Sequence, residues 1–200
     1  MAQPWDAVLD FWFGDLSAPD YPPQERNQLW FGKSDGVDQL VRERFSEMLN
    51  PAERSQYDEW KSNSRGRLAL IILFDQFPRN AYRDTPQAFA FDGKAQLLTI
   101  EGIEQGVDQA LFPFERVFFY LPLEHAEDLA LQQKSVESYQ RLLADIPPEL
   151  AQKLSGYLEY AIRHCQVIER FGRFPHRNRI LGRASTSEER EFLKQPNSAF

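Results

Sequence analysis

The block Pro122–Gln132 of this 200-residue chain carries side chains that could do acid–base chemistry together. Glu124 and Asp128 are four residues apart and His125 and Asp128 are three apart, so a helix would place all three near one stripe. Two carboxylates and an imidazole can share a proton, orient a water molecule or ligate a metal ion. The alternative is an exposed helix start, because acids favour the positive end of the helix dipole, and we assign Glu127 to that role.

A single carboxylate continues the apolar stripe of the segment Arg65–Phe77. Asp75 lies three residues after Ile72, on the helical face that should be buried. A buried carboxylate needs a partner. Arg79 follows four residues later, but Pro78 should end the helix before Arg79 is reached. The sequence therefore leaves two interpretations of Asp75 open, a structural tie at a helix end and a residue of a site.

His164 lies within the apolar stripe of the segment Pro148–Phe171. The structural interpretation is a buried histidine satisfied by one or two hydrogen bonds, and the functional one is an acid–base residue. We interpret the neighbouring Cys165 as an inert buried thiol. Since it is the one cysteine of the chain, no internal disulfide can form, and the composition predicts a protein of the reducing cytoplasm.

The segment Arg170–Arg183 holds five arginines, a histidine and an asparagine, and it contains no acid. Its charge of +5 leaves −7 − 5 = −12 on the other 186 residues. Guanidinium forks bind carboxylate or phosphate oxygens, and buried apolar side chains between the arginines would hold the forks in fixed directions. Internal ion pairs would explain the same residues, so an anion site and a structural loop both remain open.

Three functional hypotheses follow from these blocks. The first, which we favour, is a polar pocket for a small anionic ligand bearing phosphate or carboxylate, with catalysis left open. Its acid–base candidates are His125, Asp128, His176, Glu124 and His164. Its ligand-binding candidates are Asp75, Arg79, Asn80, Arg173, Arg177, Asn178 and Arg183. The second hypothesis is a scaffold that binds a peptide or protein partner. The third is a metal-dependent hydrolase using the three histidines with Asp128, and Glu124 as its base.

The composition excludes several other classes of protein. A net charge of −7 and a pI near 5.1 argue against nucleic-acid and anionic-membrane binding. The longest apolar run, Leu68–Phe74, falls far short of the roughly 20 residues that a membrane-spanning helix requires. The N-terminal residues show no secretory pattern, which again favours the cytoplasm. No metal ligands are assigned, because neither a His-Glu-x-x-His motif nor a cysteine pair occurs, and the cofactor stays unknown.

The elements that must position these residues are helices, because the hydrophobic spacing is helical almost throughout. We expect a single all-α domain over residues 1–200 with roughly eight to ten helices. Helix starts are predicted at Ser34, Asn50-Pro51, Thr85-Pro86, Pro122, Pro148 and the overlapping capping boxes of Ser185 and Thr186. Helix ends are predicted at Gly14, Pro78 and Gly172, and a proline-rich loop at Ser17–Gln24.

Four separated blocks also resemble a known family. They are Val8–Gly14 (VLDFWFG), Phe74–Asn80 (FDQFPRN), Pro122–Asp128 (PLEHAED) and Arg170–Asn178 (RFGRFPHRN), the last followed by Leu181–Arg183. With these blocks the chain resembles, over essentially its whole length, the bacterial family called domain of unknown function 924. The resemblance implies antiparallel helical hairpins in a tetratricopeptide-like arrangement. It implies no activity, so the function must be argued from the residues.

Overall fold

The computed structural model describes residues 3–14, 25–196 and 198, and every regular element within these ranges is helical, as the hydrophobic spacing predicts. The α-helices are α1 (Asp6–Phe13), α2 (Glu25–Phe31), α3 (Asp35–Glu53), α4 (Ser64–Ile71), α5 (Phe77–Ala81), α6 (Asp92–Glu104), α7 (Pro113–Glu124), α8 (Leu129–Asp145), α9 (Pro148–Phe171) and α10 (Ser187–Phe192). A π-helical turn (Ile72–Gln76) joins α4 to α5. Short 3-10 turns occupy Asp58–Ser62, Pro86–Phe89, Val107–Ala110 and Pro175–Arg177. The predicted loop Ser17–Gln24 lies outside the described residues.

Local capping signals set several of the predicted boundaries. The hydroxyl of Ser34 accepts a hydrogen bond from the backbone of Val37 at the start of α3. Both α1 and α9 end at glycines, Gly14 and Gly172, that adopt φ of +68°. Of the two overlapping capping boxes, the helix uses that of Thr186. These predictions are confirmed because the signals act within one helical turn.

Two predicted boundaries at prolines are wrong. Asn50 does not begin a helix, since α3 continues to Glu53 and buries Leu49 and Ala52 on one face. Pro78 does not end one, since it occupies the first turn of α5. In the π-turn the backbone N–H of Phe77 bonds the carbonyl of Ile72, five residues back. The π-turn thereby shifts the hydrogen-bonding register, so that Pro78 lies in the first turn of α5. A backbone N–H in a first helical turn has no partner within the helix, so the N–H that proline lacks is not missed there.

The block Pro122–Gln132 is not the single helix start that its spacing predicts. Pro122 lies in the last turn of α7, which ends at Glu124, and α8 begins after Asp128. Asp128 caps α8 by accepting a hydrogen bond from the backbone of Leu131 at 3.0 Å. Two helix ends and a short connection therefore replace the predicted stripe, and Glu124 and Asp128 do not share a helical face.

The core is dominated by aromatic side chains around α7, whose residues 114–124 are all buried. Trp12 packs edge-to-face on Phe77 and on Phe118, with ring centroids 5.7 Å apart in both pairs. A smaller cluster beneath the arginine-rich loop contains Val167, Ile168 and the fully buried Phe174. Central packing of α7 carries the residues at its end, Glu124 and His125, into the interior. Within the described ranges, no helix combines the length and apolar character needed to cross a membrane.

The close approach of α6 to its neighbours depends on Gly102. A Cβ atom at this position would lie 2.4 Å from Cζ of Phe119 and 2.9 Å from Cδ of Arg67. We expect Gly102→Ala to lower the free energy of unfolding by about 1–3 kcal/mol, because the ring would have to move. Gly156 in α9 has nothing within 4 Å, so Gly156→Ala should instead stabilise by about 0.5–1 kcal/mol. Urea unfolding of both variants checks this, and equal effects of the two would contradict it.

Candidate functional site

Asp75 lies at the centre of the candidate site, in the π-turn, with 0% of its surface exposed. Its Oδ1 accepts hydrogen bonds from Nδ1 of His125 at 2.7 Å and pairs with Nη1 of Arg79 at 3.1 Å. The side chain of Gln76 donates to Oδ2. Burial opposes ionisation, but Arg79 and His125 more than offset it and lower the pKa of Asp75 to about 2. The carboxylate is therefore ionised in the interior.

Arg79 is available to Asp75 because the helix continues past Pro78. Its Nη1 also donates to the backbone oxygen of Asp75 at 2.7 Å, which satisfies a carbonyl that the π-turn displaces. Both Nη atoms then donate to the carboxylate of Asp92, at 2.8 and 3.0 Å. Arg79 therefore joins the π-turn to the start of α6, and its donors are used within the fold.

His125 follows the last residue of α7, and its Nδ1 contacts the same Oδ1 of Asp75 that Arg79 does. Because Asp75 is ionised, Nδ1 of His125 must carry the proton, and the lone pair is on Nε2 across the ring. Burial lowers the pKa of His125, and the attraction of Asp75 offsets only part of that effect. The imidazole is thus neutral at pH 7, with Nε2 able to accept a proton.

Glu124 and His164 form a second, inner pair behind His125. Burial, reinforced by the charge of Asp75, raises the pKa of Glu124 to about 8. Burial lowers the pKa of His164 to about 3, and its Nδ1 lies 2.8 Å from the backbone oxygen of Tyr160 and 3.2 Å from Oε1 of Glu124. Both groups are neutral at pH 7. Within the described ranges, Oε2 of Glu124 is buried with no hydrogen-bond partner.

Arg177 is a buried arginine of this region whose donors are only partly used. Its guanidinium lies over the rings of Phe89 and Phe174, at 4.7 and 4.4 Å from their centroids. Nη1 donates to the backbone oxygen of His125 at 3.1 Å, whereas Nε is buried with no hydrogen-bond partner in the described part of the chain. Burial and the repulsion of Arg79 lower the pKa of Arg177 to about 10, which still leaves it charged at pH 7.

These groups meet at a surface pocket of about 460 Å³. The pocket is bounded by the 3-10 turn Pro86–Phe89, the start of α6, the connection after α7 and the arginine-rich loop. Its polar and aromatic lining consists of Phe89, Asp92, Gln96, His125, Glu127 and Arg177. Asp75 and Arg79 lie behind this wall and position His125 and Asp92 respectively. The arrangement offers an imidazole and a guanidinium to a molecule in the pocket.

The other arginines of the loop that were candidates are held in internal ion pairs. Arg183 forms a two-point pair with Glu127, whose Oε1 also accepts from the backbone N–H of Phe174 at 2.8 Å. Arg173 pairs in the same way with the buried Glu189. Glu127, which the sequence analysis assigned to a helix dipole, is therefore the anchor of the loop.

The structure brings together some of the predicted site residues and separates others. At or directly behind the pocket are Asp75, Arg79, Glu124, His125, His164 and Arg177. Asn80 instead donates to Asp38 of α3 at 2.9 Å, and Asn178 contacts Ser185 and Glu189. Asp128 is an exposed helix cap. His176 is half-buried beside the ring of Phe174, and burial together with Arg177 lowers its pKa to about 4.

Four polar or aromatic residues of the pocket wall were not predicted from the sequence, namely Phe89, Asp92, Gln96 and Glu127. Glu127 is part of the PLEHAED block, and Asp128 followed by apolar residues is a capping signal that marks the break beside it. Asp92 and Phe89 carry no such local signal, because their partners Arg79 and Arg177 reach them only through the tertiary fold. No group of three or more His, Cys, Asp and Glu side chains that could hold a metal occurs among the described residues.

Comparison with known proteins identifies the family. The model of a family described as bacterial protein of unknown function (DUF924) matches residues 8–197. The chain belongs to this family. The solved structure of a protein of unknown function, ATU0120 from Agrobacterium tumefaciens, is 38% identical, with a TM-score of 0.79 over 95% of this chain and 96% of that chain. None of the curated proteins matches the chain. Membership of the DUF924 family carries no activity with it, so the geometry of the site carries the functional argument.

The raised pKa of Glu124 has a direct effect on stability. The folded chain keeps a proton on Glu124 up to about pH 8, whereas the unfolded chain loses it near 4.5, so the free energy of unfolding falls as pH rises between those values. The buried His164 acts with the opposite sign, but only between about 3 and its unfolded value of 6.5. A decline in stability between pH 6.5 and 8 therefore reports Glu124.

Glu124→Gln, an uncharged isostere, should remove this decline. We expect the free energy of unfolding of the variant, relative to that of the parent, to increase by about 1–2 kcal/mol between pH 6.5 and pH 8. Urea unfolding at both pH values measures the difference. Glu159→Gln, on the exposed face of α9, is the control that should leave the pH dependence unchanged. A decline that persists in Glu124→Gln would contradict the assignment.

Proposed function

We propose that the pocket binds a small anionic molecule on Arg177 and that His125, oriented by Asp75, exchanges a proton with it. The observation that carries this proposal is the state of Arg177. It is a buried guanidinium at the pocket wall whose Nε has no hydrogen-bond partner within the described residues. A purely structural arginine would have its donors paired, as those of Arg183 are by Glu127.

The energetics of Arg177 support a binding role. A buried cation without a matched carboxylate destabilises the folded chain, and the lowered pKa of Arg177 reflects that penalty. The closest carboxylate oxygen, Oδ2 of Asp92, is 3.7 Å from Nη1 and is already held by Arg79. An anion that bonds the guanidinium edge would relieve the penalty, and the contacts with two aromatic rings restrict the movement of the guanidinium.

The pair of Asp75 and His125 supports proton exchange. A neutral imidazole with its proton fixed on Nδ1 presents Nε2 as a base, and Asp75 would stabilise the imidazolium that forms. Arg177 bonds the backbone oxygen of this same histidine, so the anion-binding group and the base are held as neighbours. An anion held on Arg177 would therefore lie beside the imidazole, which could take a proton from it or from an adjacent water molecule and return it.

A ligand screen with Arg177 variants tests the binding step. Sodium acetate, benzoate, phosphate and phosphoserine are added to the full chain at equal ionic strength, and the thermal midpoint is measured. We expect at least one of these anions to raise the midpoint in the parent chain and none to do so in Arg177→Met. The unliganded Arg177→Met should be about as stable as the parent, because the methionine keeps the packing against the rings and removes the buried charge.

Arg179→Met is the matched control, since Arg179 belongs to the same loop but is 84% exposed and does not line the pocket. It should keep the full response to the anion. Binding that is lost equally in both variants would indicate general attraction to the basic loop. A wider anion panel without any response would contradict the proposal.

Asp75→Asn tests how His125 is prepared for its role. Because Asp75 raises the pKa of His125, the variant should have a lower histidine pKa and should lose the preference for the proton on Nδ1. Nitrogen-15 NMR of the imidazole, assigned with His125→Phe, measures both properties. The same resonances should shift when an anion binds the parent chain. A tautomer unaffected by Asp75→Asn would remove the basis for the orienting role.

A further inference from the structure

The charges around the pocket define which class of anion Arg177 could take, an inference that rests on the proposed function. Two arginines besides Arg177, namely Arg79 and Arg183, lie next to the pocket, and each is matched by a two-point carboxylate, Asp92 and Glu127 respectively. The pocket therefore offers one unmatched guanidinium to a ligand. One fork matches the two oxygens and the single charge of a carboxylate.

A doubly charged phosphate monoester would meet an unfavourable field here. Asp92 and Glu127 are both part of the pocket wall, and Oδ2 of Asp92 lies 3.7 Å from the Nη1 atom that an anion would approach. Three arginines and three carboxylates, counting Asp75, give this region a net charge of zero. A second negative charge would be repelled by the wall without a second free cation to neutralise it.

The rest of the pocket wall is suited to an uncharged body. Phe89, Pro86, Ala90 and Leu181 contribute apolar surface, and Gln96 contributes an amide. The guanidinium of Arg177 lies over the Phe89 ring and both side chains line the pocket, so the body of a ligand held on Arg177 has apolar surface close by. The volume of about 460 Å³ has room for roughly 15 groups of the size of water, at about 30 Å³ each.

We infer that the pocket is a site for a small monocarboxylate, with the carboxylate on the Arg177 fork and a compact apolar or amide-bearing body against Phe89 and Leu181.

A matched pair of ligands tests this inference on the full chain. Benzoate and phenyl phosphate share a ring and differ in their head groups, and benzamide is the uncharged counterpart. Isothermal titration at pH 7.5 should show benzoate binding at least tenfold more tightly than phenyl phosphate or benzamide. Arg177→Met should weaken benzoate binding at least tenfold, whereas Arg179→Met should change it less than twofold. Arg177→Lys, which keeps the charge and loses the fork, should also weaken it.

The outcomes separate the inference from the proposed function. Phenyl phosphate binding more tightly than benzoate, with the affinity lost in Arg177→Met, would overturn the carboxylate inference and leave the anion site standing. Benzoate binding that is equal in the parent and both Arg177 variants would overturn it as well, since the ring alone would then account for the affinity. Absence of binding by these ligands and by the whole anion panel would contradict the proposed function itself. Circular dichroism verifies that each variant is folded.

Discussion

A carboxylate with no exposed surface is the constraint on which the candidate site depends. Asp75 stays ionised in the interior because donors from separate elements reach it, chiefly Arg79 from the helix that follows the π-turn and His125 from the end of α7. The first requires the helix to continue through Pro78, which the π-turn makes possible. The second requires α7 to end where its imidazole faces that turn. Removing either donor would leave a buried charge inadequately compensated, a defect that typically costs several kcal/mol.

Pairing of charges holds most of the arginine-rich loop in place and leaves Arg177 without a matched carboxylate. The basic segment Arg170–Arg183 brings five positive charges to an acidic protein. Most of those near the pocket are matched, Arg183 by Glu127 and Arg173 by Glu189. Arg177 is held by aromatic rings and a backbone carbonyl instead. Electrostatic matching thus fixes the loop, and the imperfect match at Arg177 leaves one guanidinium at the pocket without a paired carboxylate.

The sequence predicts the features that depend on nearby residues and misses those that depend on distant ones. The helical class, the cap at Ser34 and the termination at Gly172 follow from local chemistry, and the structure has them all. The prediction that Asp75 is buried among partners also agrees with the structure. The helix end predicted at Pro78 is wrong because the π-turn before it depends on tertiary packing, which the local sequence does not show. The helix-dipole role predicted for Glu127 is wrong because its partner, Arg183, is 56 residues away along the chain.

The pairing of Glu127 with Arg183 also affects when the pocket forms during synthesis of the chain. One part of the pocket wall leaves the ribosome early, with the turn Pro86–Phe89 and the start of α6, whereas another part is the loop between α9 and α10. The partner of Asp75, His125, is synthesised 50 residues later, and the partner of Glu127, Arg183, is synthesised 56 residues later. Loop closure of that length comes late relative to local helix formation. The nascent chain therefore has no finished pocket until the arginine-rich loop docks.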